Sequence, residues 1–591
     1  MINNGRLKKA YQILTNIVFP LLLILYPMRH ICYGVEWADT GYNYGNFRFL
    51  EQMDSMWMFS TYLANVIGRF FMNLPFGNTM LGMNVYTGLI VSIMAVSGYY
   101  FFTKKIKLPS ELVFICEVIA IGLCWCPTAL LYNYLTYLLL FGAMICLYLA
   151  LTEEKYYFYV IAGILLGINI FVRFSNLSQM AFILVVWAYA IIIKKPVKKV
   201  AKETGLCILG YVLGAGGVLL WIGIQYGLSD YVNALTRLFE MTSYATEYTI
   251  SSMVIYQLRN FWQNFIWLGK LLFFVMLGVA GFMVLPGRLE ILKKTGFILC
   301  VLPVFYWLMN QNMFNIRYST KESVFQWAVM LLSFMMITGV IFIFSKAKPE
   351  HKLLCGMSML VIVITPLGSN NHLYSSINNL FFAAPVAMVA LWTCLRRLPE
   401  KIEYAKGRIK LYLFPLKAMV GMIIIMLIVQ SIGFGFGYVF SESDGGENLH
   451  TPIMGNPVLK GMYTSPDRAE VLEELYSYVK DEEIFQREII LYGNIPALSY
   501  YLDIPFAISA WPDMPSYTYE VMTSDLEKIE TKISQGEVAP MILLEYSSNE
   551  LLFLEKNEKQ MLLADFMNRY DYQKVFENDK FVLYLDNSSM Q

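Results

Sequence analysis

Apolar runs of about 20 residues recur thirteen times before residue 440 and not after it. A helix needs about that many residues to cross the hydrocarbon layer of a bilayer. The runs predict membrane spans over roughly 13–33, 79–102, 111–128, 129–151, 156–172, 177–193, 204–226, 263–285, 295–312, 323–345, 353–367, 379–395 and 412–437. Beyond residue 440 short apolar runs alternate with amphipathic segments. They predict helices near 466–479, 496–502, 523–534 and 550–568, and strands near 488–492, 505–508, 541–546, 572–576 and 581–585. That alternation argues a small α/β domain. The expected fold class is a polytopic α-helical membrane protein of about 13 transmembrane helices over residues 1–439, followed by an α/β domain over 440–591.

Charge gives the arrangement a direction. Basic residues gather in alternate short loops: Arg6 to Lys9, Lys104 to Lys107, Lys194 to Lys202, Arg288 to Lys294, Lys346 to Lys352 and Arg396 to Lys410. By the positive-inside rule these loops are cytoplasmic, and so is the N-terminus. An odd number of spans then carries the C-terminal domain to the extracytoplasmic side of a multi-pass cell-membrane protein. That domain holds 11 basic and 27 acidic residues, whereas the first 439 positions hold 34 basic and 17 acidic ones. Hydrophobic residues make up 57% of the chain and charged ones only 15%, which excludes an ordinary soluble protein. The nine cysteines all lie in or beside predicted spans, so a disulfide framework is not expected. The scattered histidines give no metal constellation; a divalent cation is possible but not indicated.

With acids so sparse in the membrane region, those in the first outer loop stand out: Glu36, Asp39, Glu51 and Asp54. A carboxylate just past the first span, among Trp37, Tyr42 and Tyr44, has surroundings suited to a general base. Partial burial raises its pKa, and the rings can stack on a sugar. The alternative is a loop acid that caps the following turn at Thr40 and Gly41. Further on, Met53, Trp57, Leu63, Ile67, Phe70 and Leu74 recur at helical spacing between Glu51 and Leu74. That face belongs either in the membrane interface or against the protein's own outer loops.

The stretch Val35-Glu36-Trp37-Ala38-Asp39-Thr40-Gly41-Tyr42, placed directly after a first span, resembles the first-loop acidic motif of the GT-C fold membrane glycosyltransferases, among them protein mannosyltransferases and aminoarabinose transferases. The layout of about a dozen spans, a first outer loop with an interfacial helix and an exported C-terminal α/β domain is similar too. The family's second acid, directly after the aspartate, is replaced here by Thr40.

The resemblance implies sugar transfer from a polyprenyl-phosphate donor to a glycan, lipid or protein acceptor at the outer membrane face, with no nucleic-acid partner. Asp39 would deprotonate the acceptor hydroxyl, with Glu36 and Tyr42 beside it. Arg173, at the outer end of a span, would hold the lipid phosphate. Arg237, Arg259, Arg317 and Lys321 are further cationic candidates in outer loops, and Asn370, Asn371 and His372 could line a sugar pocket. Each has a plainer reading as a lipid-facing, loop or turn residue. Glu117, alone within a span, suggests either a polar cavity or packing against a polar neighbour. Two other functions stay open: a transporter or flippase for a lipid-linked or polar solute, and a non-catalytic protein of the same fold. The absence of an internal repeat weighs against transport.

Overall fold

The computed structural model describes residues 4–124, 131–244, 250–285, 290–318, 320–367, 373–404, 409–439, 448–515, 517–546 and 557–587. All thirteen apolar stretches contain helix. Among the described residues ten helices are long and apolar enough to cross a bilayer: Arg6–His30, Met80–Lys105, Leu131–Glu153, Phe174–Ile193, Val197–Gln225, Ser251–Val284, Glu290–Asn310, Glu322–Phe344, Leu380–Arg397 and Phe414–Gly437. The other three, Ser110–Leu123, Tyr156–Val172 and Pro349–Ile364, are shorter apolar helices of 14, 17 and 16 residues. The chain is a multi-pass membrane protein.

Small residues set the tightest helix pairing. Gly163 and Gly167 on helix Tyr156–Val172 face Gly210 and Gly214 on helix Val197–Gln225. A methyl group at Gly163 would strike the backbone of Cys207 and Tyr211, and one at Gly210 the backbone of Val160. Bare glycines four apart let two helices approach to backbone contact, the usual device where both are surrounded by lipid. Glu117 is fully buried on the Ser110–Leu123 helix, with its carboxyl against Gly98. A side chain at position 98 would occupy the space its carboxyl fills.

The C-terminal domain is built on one mixed sheet. Its four strands are β1 (Ile489–Tyr492), β2 (Met541–Glu545), β3 (Tyr572–Glu577) and β4 (Phe581–Asp586), in the order β1-β2-β4-β3. β1 and β2 pair in parallel, and β4 runs antiparallel to both its neighbours. Helices Pro466–Asp481, Tyr519–Ser534 and Glu558–Arg569 pack around it, so the α/β reading holds. The expected strand near 505–508 is reduced to a single bridge between Phe506 and Ile489. Residues 550–556 of the expected last helix lie outside the described ones.

The amphipathic segment after residue 50 is not one helix. It is a 3₁₀ turn at Leu50–Gln52 followed by helices Ser55–Ser60 and Tyr62–Met72. Asp54 caps the first helix by accepting from the Met56 N–H at 3.0 Å, and Thr61 (φ −134, ψ 34) breaks the run. Tyr62, Ala64 and Asn65 are buried against the protein while Phe70 is exposed.

Candidate functional site

The first span ends at His30, and the chain then runs as an extended segment to Ala38 before helix Asp39–Arg48 begins. Glu36 lies three residues ahead of that helix, and its Oε2 accepts from both the N–H and the hydroxyl of Thr40, each at 2.9 Å. The carboxylate thus satisfies backbone donors at the helix N-terminus, where the helix dipole favours negative charge. Asp39 occupies the first turn, and its carbonyl accepts from the Asn43 side chain at 2.7 Å. The capping interpretation is therefore correct for Glu36. The same geometry sets two acids side by side: burial first, then the negative charge of Asp39, pushes the Glu36 carboxyl up from 4.5 to about 7. Tyr42, one turn on, is also raised by burial, with the Asp39 charge adding to the effect.

What holds this loop is the C-terminal domain, more than 400 residues away in sequence. The Tyr501 hydroxyl donates to the Glu36 carbonyl, the Ala497 N–H to the Trp37 carbonyl at 2.9 Å, and Arg468 to the Val35 carbonyl at 2.7 Å. The Arg468 guanidinium lies over the Trp37 ring at 4.7 Å, and Phe581 meets that ring edge-on at 5.3 Å. Gly41 makes the docking possible: a methyl group there would strike Ala497 and come to 3.1 Å from the Tyr501 ring. Tyr42 meets Trp511 at 5.7 Å, Tyr44 meets Tyr500 at 5.4 Å, and Arg48 forks onto Asp503 at 2.7 and 2.5 Å. The Trp511 loop is itself pinned, because Lys559 donates to the carbonyls of Pro512, Met514 and Tyr517 at 2.7 to 3.0 Å. On the membrane side Asn84 ties the loop down, accepting from the Tyr44 hydroxyl at 2.8 Å and donating to the Ile31 carbonyl at 2.7 Å.

The structure brings Glu36, Asp39 and Tyr42 together under this cover. The cationic candidates lie elsewhere around the same end. Arg173 terminates helix Tyr156–Val172 in extended backbone, with its guanidinium over the Tyr132 ring at 5.5 Å. Beneath it Asn169, Asn176 and Gln179 form a buried hydrogen-bonded set with Thr136. Among the described residues Arg173 has no carboxylate within ion-pair distance. Arg237 is committed to Asp54 at 2.9 Å, Arg259 is exposed on helix Ile250–Val284, and Arg317 is exposed in the loop before helix Lys321–Phe344. Asn370, Asn371, His372 and the side chain of Lys321 lie outside the described residues.

Sequence reasoning missed the clasping residues Arg468, Ala497, Tyr501 and Trp511, for which no local signal exists. It also missed Arg29, whose signal was present: a charge inside the first span. Arg29 donates to the carbonyls of Gly435 and Tyr26 and lies over the Tyr26 ring at 4.4 Å, with His30 beside it on the same Gly435 oxygen at 3.1 Å. Among the described residues no three His, Cys, Asp or Glu side chains come together as a metal site would require.

No protein-family model and no curated protein sequence matches the chain. Among solved structures, that of ArnT from Cupriavidus metallidurans bound to undecaprenyl phosphate aligns with 96% of this chain and 97% of its own, at 8% identity and a TM-score of 0.48.

Proposed function

We propose that this protein is a membrane glycosyltransferase. It moves a sugar from a polyprenyl-phosphate-linked donor to a glycan, lipid or protein acceptor at the face that carries the acidic loop. By the distribution of lysine and arginine that face is extracytoplasmic. The observation that carries this reading is the Glu36 and Asp39 pair at a helix N-terminus, roofed by aromatic residues of the exported domain. A buried acid that keeps its proton toward neutral pH beside a second acid is what acid–base chemistry there calls for. Burial first, and the negative charge of Asp39 second, hold the Glu36 proton up to about 7.

In the reaction, the Asp39 carboxylate takes the proton of the acceptor hydroxyl as that oxygen attacks the anomeric carbon. The bond from that carbon to the donor phosphate breaks, and the polyprenyl phosphate leaves with the bonding electron pair. A cation at the membrane surface steadies the leaving phosphate. Arg173, free of carboxylate partners among the described residues, is the residue we assign to it. Tyr42 and Trp511 offer ring faces to a sugar.

The test is mass spectrometry of envelope glycans and lipid-linked sugars from cells lacking the protein, complemented with the wild type or with Asp39→Asn at equal expression. Loss of one sugar with accumulation of its polyprenyl-phosphate donor, in both the deletion and the Asp39→Asn strain, is the expected result. Full rescue by Asp39→Asn would make Asp39 a loop acid and leave transport or a non-catalytic role as the better account.

A further inference from the structure

We propose that the end of the bundle opposite the acidic loop carries a binding site for one anionic glycerophospholipid of the leaflet on that side. Helices Ile250–Val284 and Glu290–Asn310 leave between them a cavity of about 480 Å³ walled by Phe274, Leu277, Phe282, Phe297 and Val304. It opens toward lipid, since Leu277 and Leu292 at its margins are 53% and 65% exposed. The lining positions on the first helix run from Phe274 to Leu285, a rise of about 16 Å, close to half of a bilayer's hydrocarbon thickness. The groove therefore suits an acyl chain of one leaflet and is short for a polyprenyl chain.

Its end is basic. A second cavity of about 330 Å³ shares Phe282 and Lys293 with the first and is lined among the described residues by Lys294, Lys401 and Lys417 and by Glu290 and Glu400, with Glu403 paired to Lys401 at 3.0 Å, so four ammonium groups face three carboxylates. Lys293 stands at the seam, only 9% exposed, donating to the carbonyls of Phe282 at 3.2 Å and Leu285 at 2.6 Å. Lys417 is anchored by the Leu398 carbonyl at 2.7 Å and Lys294 by Glu290 at 2.6 Å. Fixed ammonium groups in excess over carboxylates, at headgroup depth and continuous with an apolar slot, are complementary to a lipid phosphate. The floor of the slot is bare because Gly281 and Gly296 line it and have no atom within 4 Å of where a side chain would begin.

Those glycines supply the test. Gly281→Leu/Gly296→Leu puts side chains into the slot at two positions where the first added carbon meets no atom within 4 Å, and Lys294→Gln/Lys401→Gln removes two half-exposed charges while leaving buried Lys293 in place. The purified full chain is titrated with phosphatidylglycerol or with phosphatidylcholine of identical acyl chains, and retained lipid is counted by native mass spectrometry. The wild type should prefer phosphatidylglycerol by about tenfold. The glycine pair should lose the retained lipid, and the lysine pair should bring the preference to within about twofold. Equal retention of both lipids by the wild type overturns the proposal, as does undiminished phosphatidylglycerol binding by the glycine pair. Undecaprenyl phosphate displacing phosphatidylglycerol at equal concentration would overturn the assignment to a phospholipid. Displacement by inorganic phosphate alone would overturn the role of the groove. Sugar transfer plays no part in the readout, so the result is independent of the function proposed for the acidic loop.

Discussion

Replacing Glu36 by glutamine isolates the cost of placing a second acid beside Asp39. The glutamine carbonyl oxygen can still accept from the N–H and hydroxyl of Thr40, so the cap survives and only the ionisable group is lost. In the wild type the folded chain holds the Glu36 proton up to about 7, against 4.5 ordinarily. At low pH folded and unfolded chains both carry that proton, and the difference vanishes. As pH rises from about 4.5 the unfolded chain releases it first, so stability falls until the folded carboxyl ionises near 7. Above that the loss is complete and amounts to about 3 kcal/mol. For a chain of 591 residues this is about 2 °C in melting temperature. The assay is thermal unfolding in detergent followed by tryptophan fluorescence, for wild type and Glu36→Gln, from pH 4 to pH 8. Other titrating groups are common to both proteins and cancel in the difference. Glu36→Gln should gain on the wild type between about pH 4.5 and pH 7 and level off above that, and Asp39→Asn should shrink the gain by removing the charge that helps raise Glu36. Parallel curves would refute the reasoning, because Glu36 would then titrate alike in folded and unfolded chains.

Gly210→Leu should destabilise the bundle by about 3 kcal/mol or more, since its side chain has only the Val160 backbone to enter, while Gly217→Leu, which meets open space, should melt like the wild type. Tyr501→Phe should lower stability by about 1 kcal/mol through loss of one donor to the Glu36 carbonyl, and should raise proteolytic sensitivity at the 31–38 segment. Arg48→Ala breaks a partly exposed pair with Asp503 and should cost less than about 1 kcal/mol in the same melting assay.

The membrane half of the fold was legible because a bilayer imposes one length and one composition on whatever crosses it. Every apolar stretch contains helix, and three of those helices are shorter than the rest. The tail's alternation was equally readable, apart from 505–508, where an apolar run beside a proline makes one bridge and no ladder. The site was half legible. Glu36, Asp39 and Tyr42 lie within seven residues and could be found by reading along the chain. Arg468, Ala497 and Tyr501 act on that loop from the far end of the sequence through backbone carbonyls, which have no residue-type signature, and Trp511 through the Tyr42 ring. The relation between Glu36 and Asp39 was hidden as well, because the sequence shows a missing neighbouring acid and only the fold returns one from three positions upstream.

The clasp over the loop has a consequence for biosynthesis. Three consecutive carbonyls, those of Val35, Glu36 and Trp37, are held by Arg468, Tyr501 and Ala497, and the Trp37 ring rests on Phe581. A chain is made from its N-terminus, so the loop that emerges first must wait through the insertion of every later helix for the residues that shape it. A nascent or truncated chain can thus be fully threaded through the bilayer and still lack an ordered acidic pair until the last strand, β4, which carries Phe581, has folded against the loop.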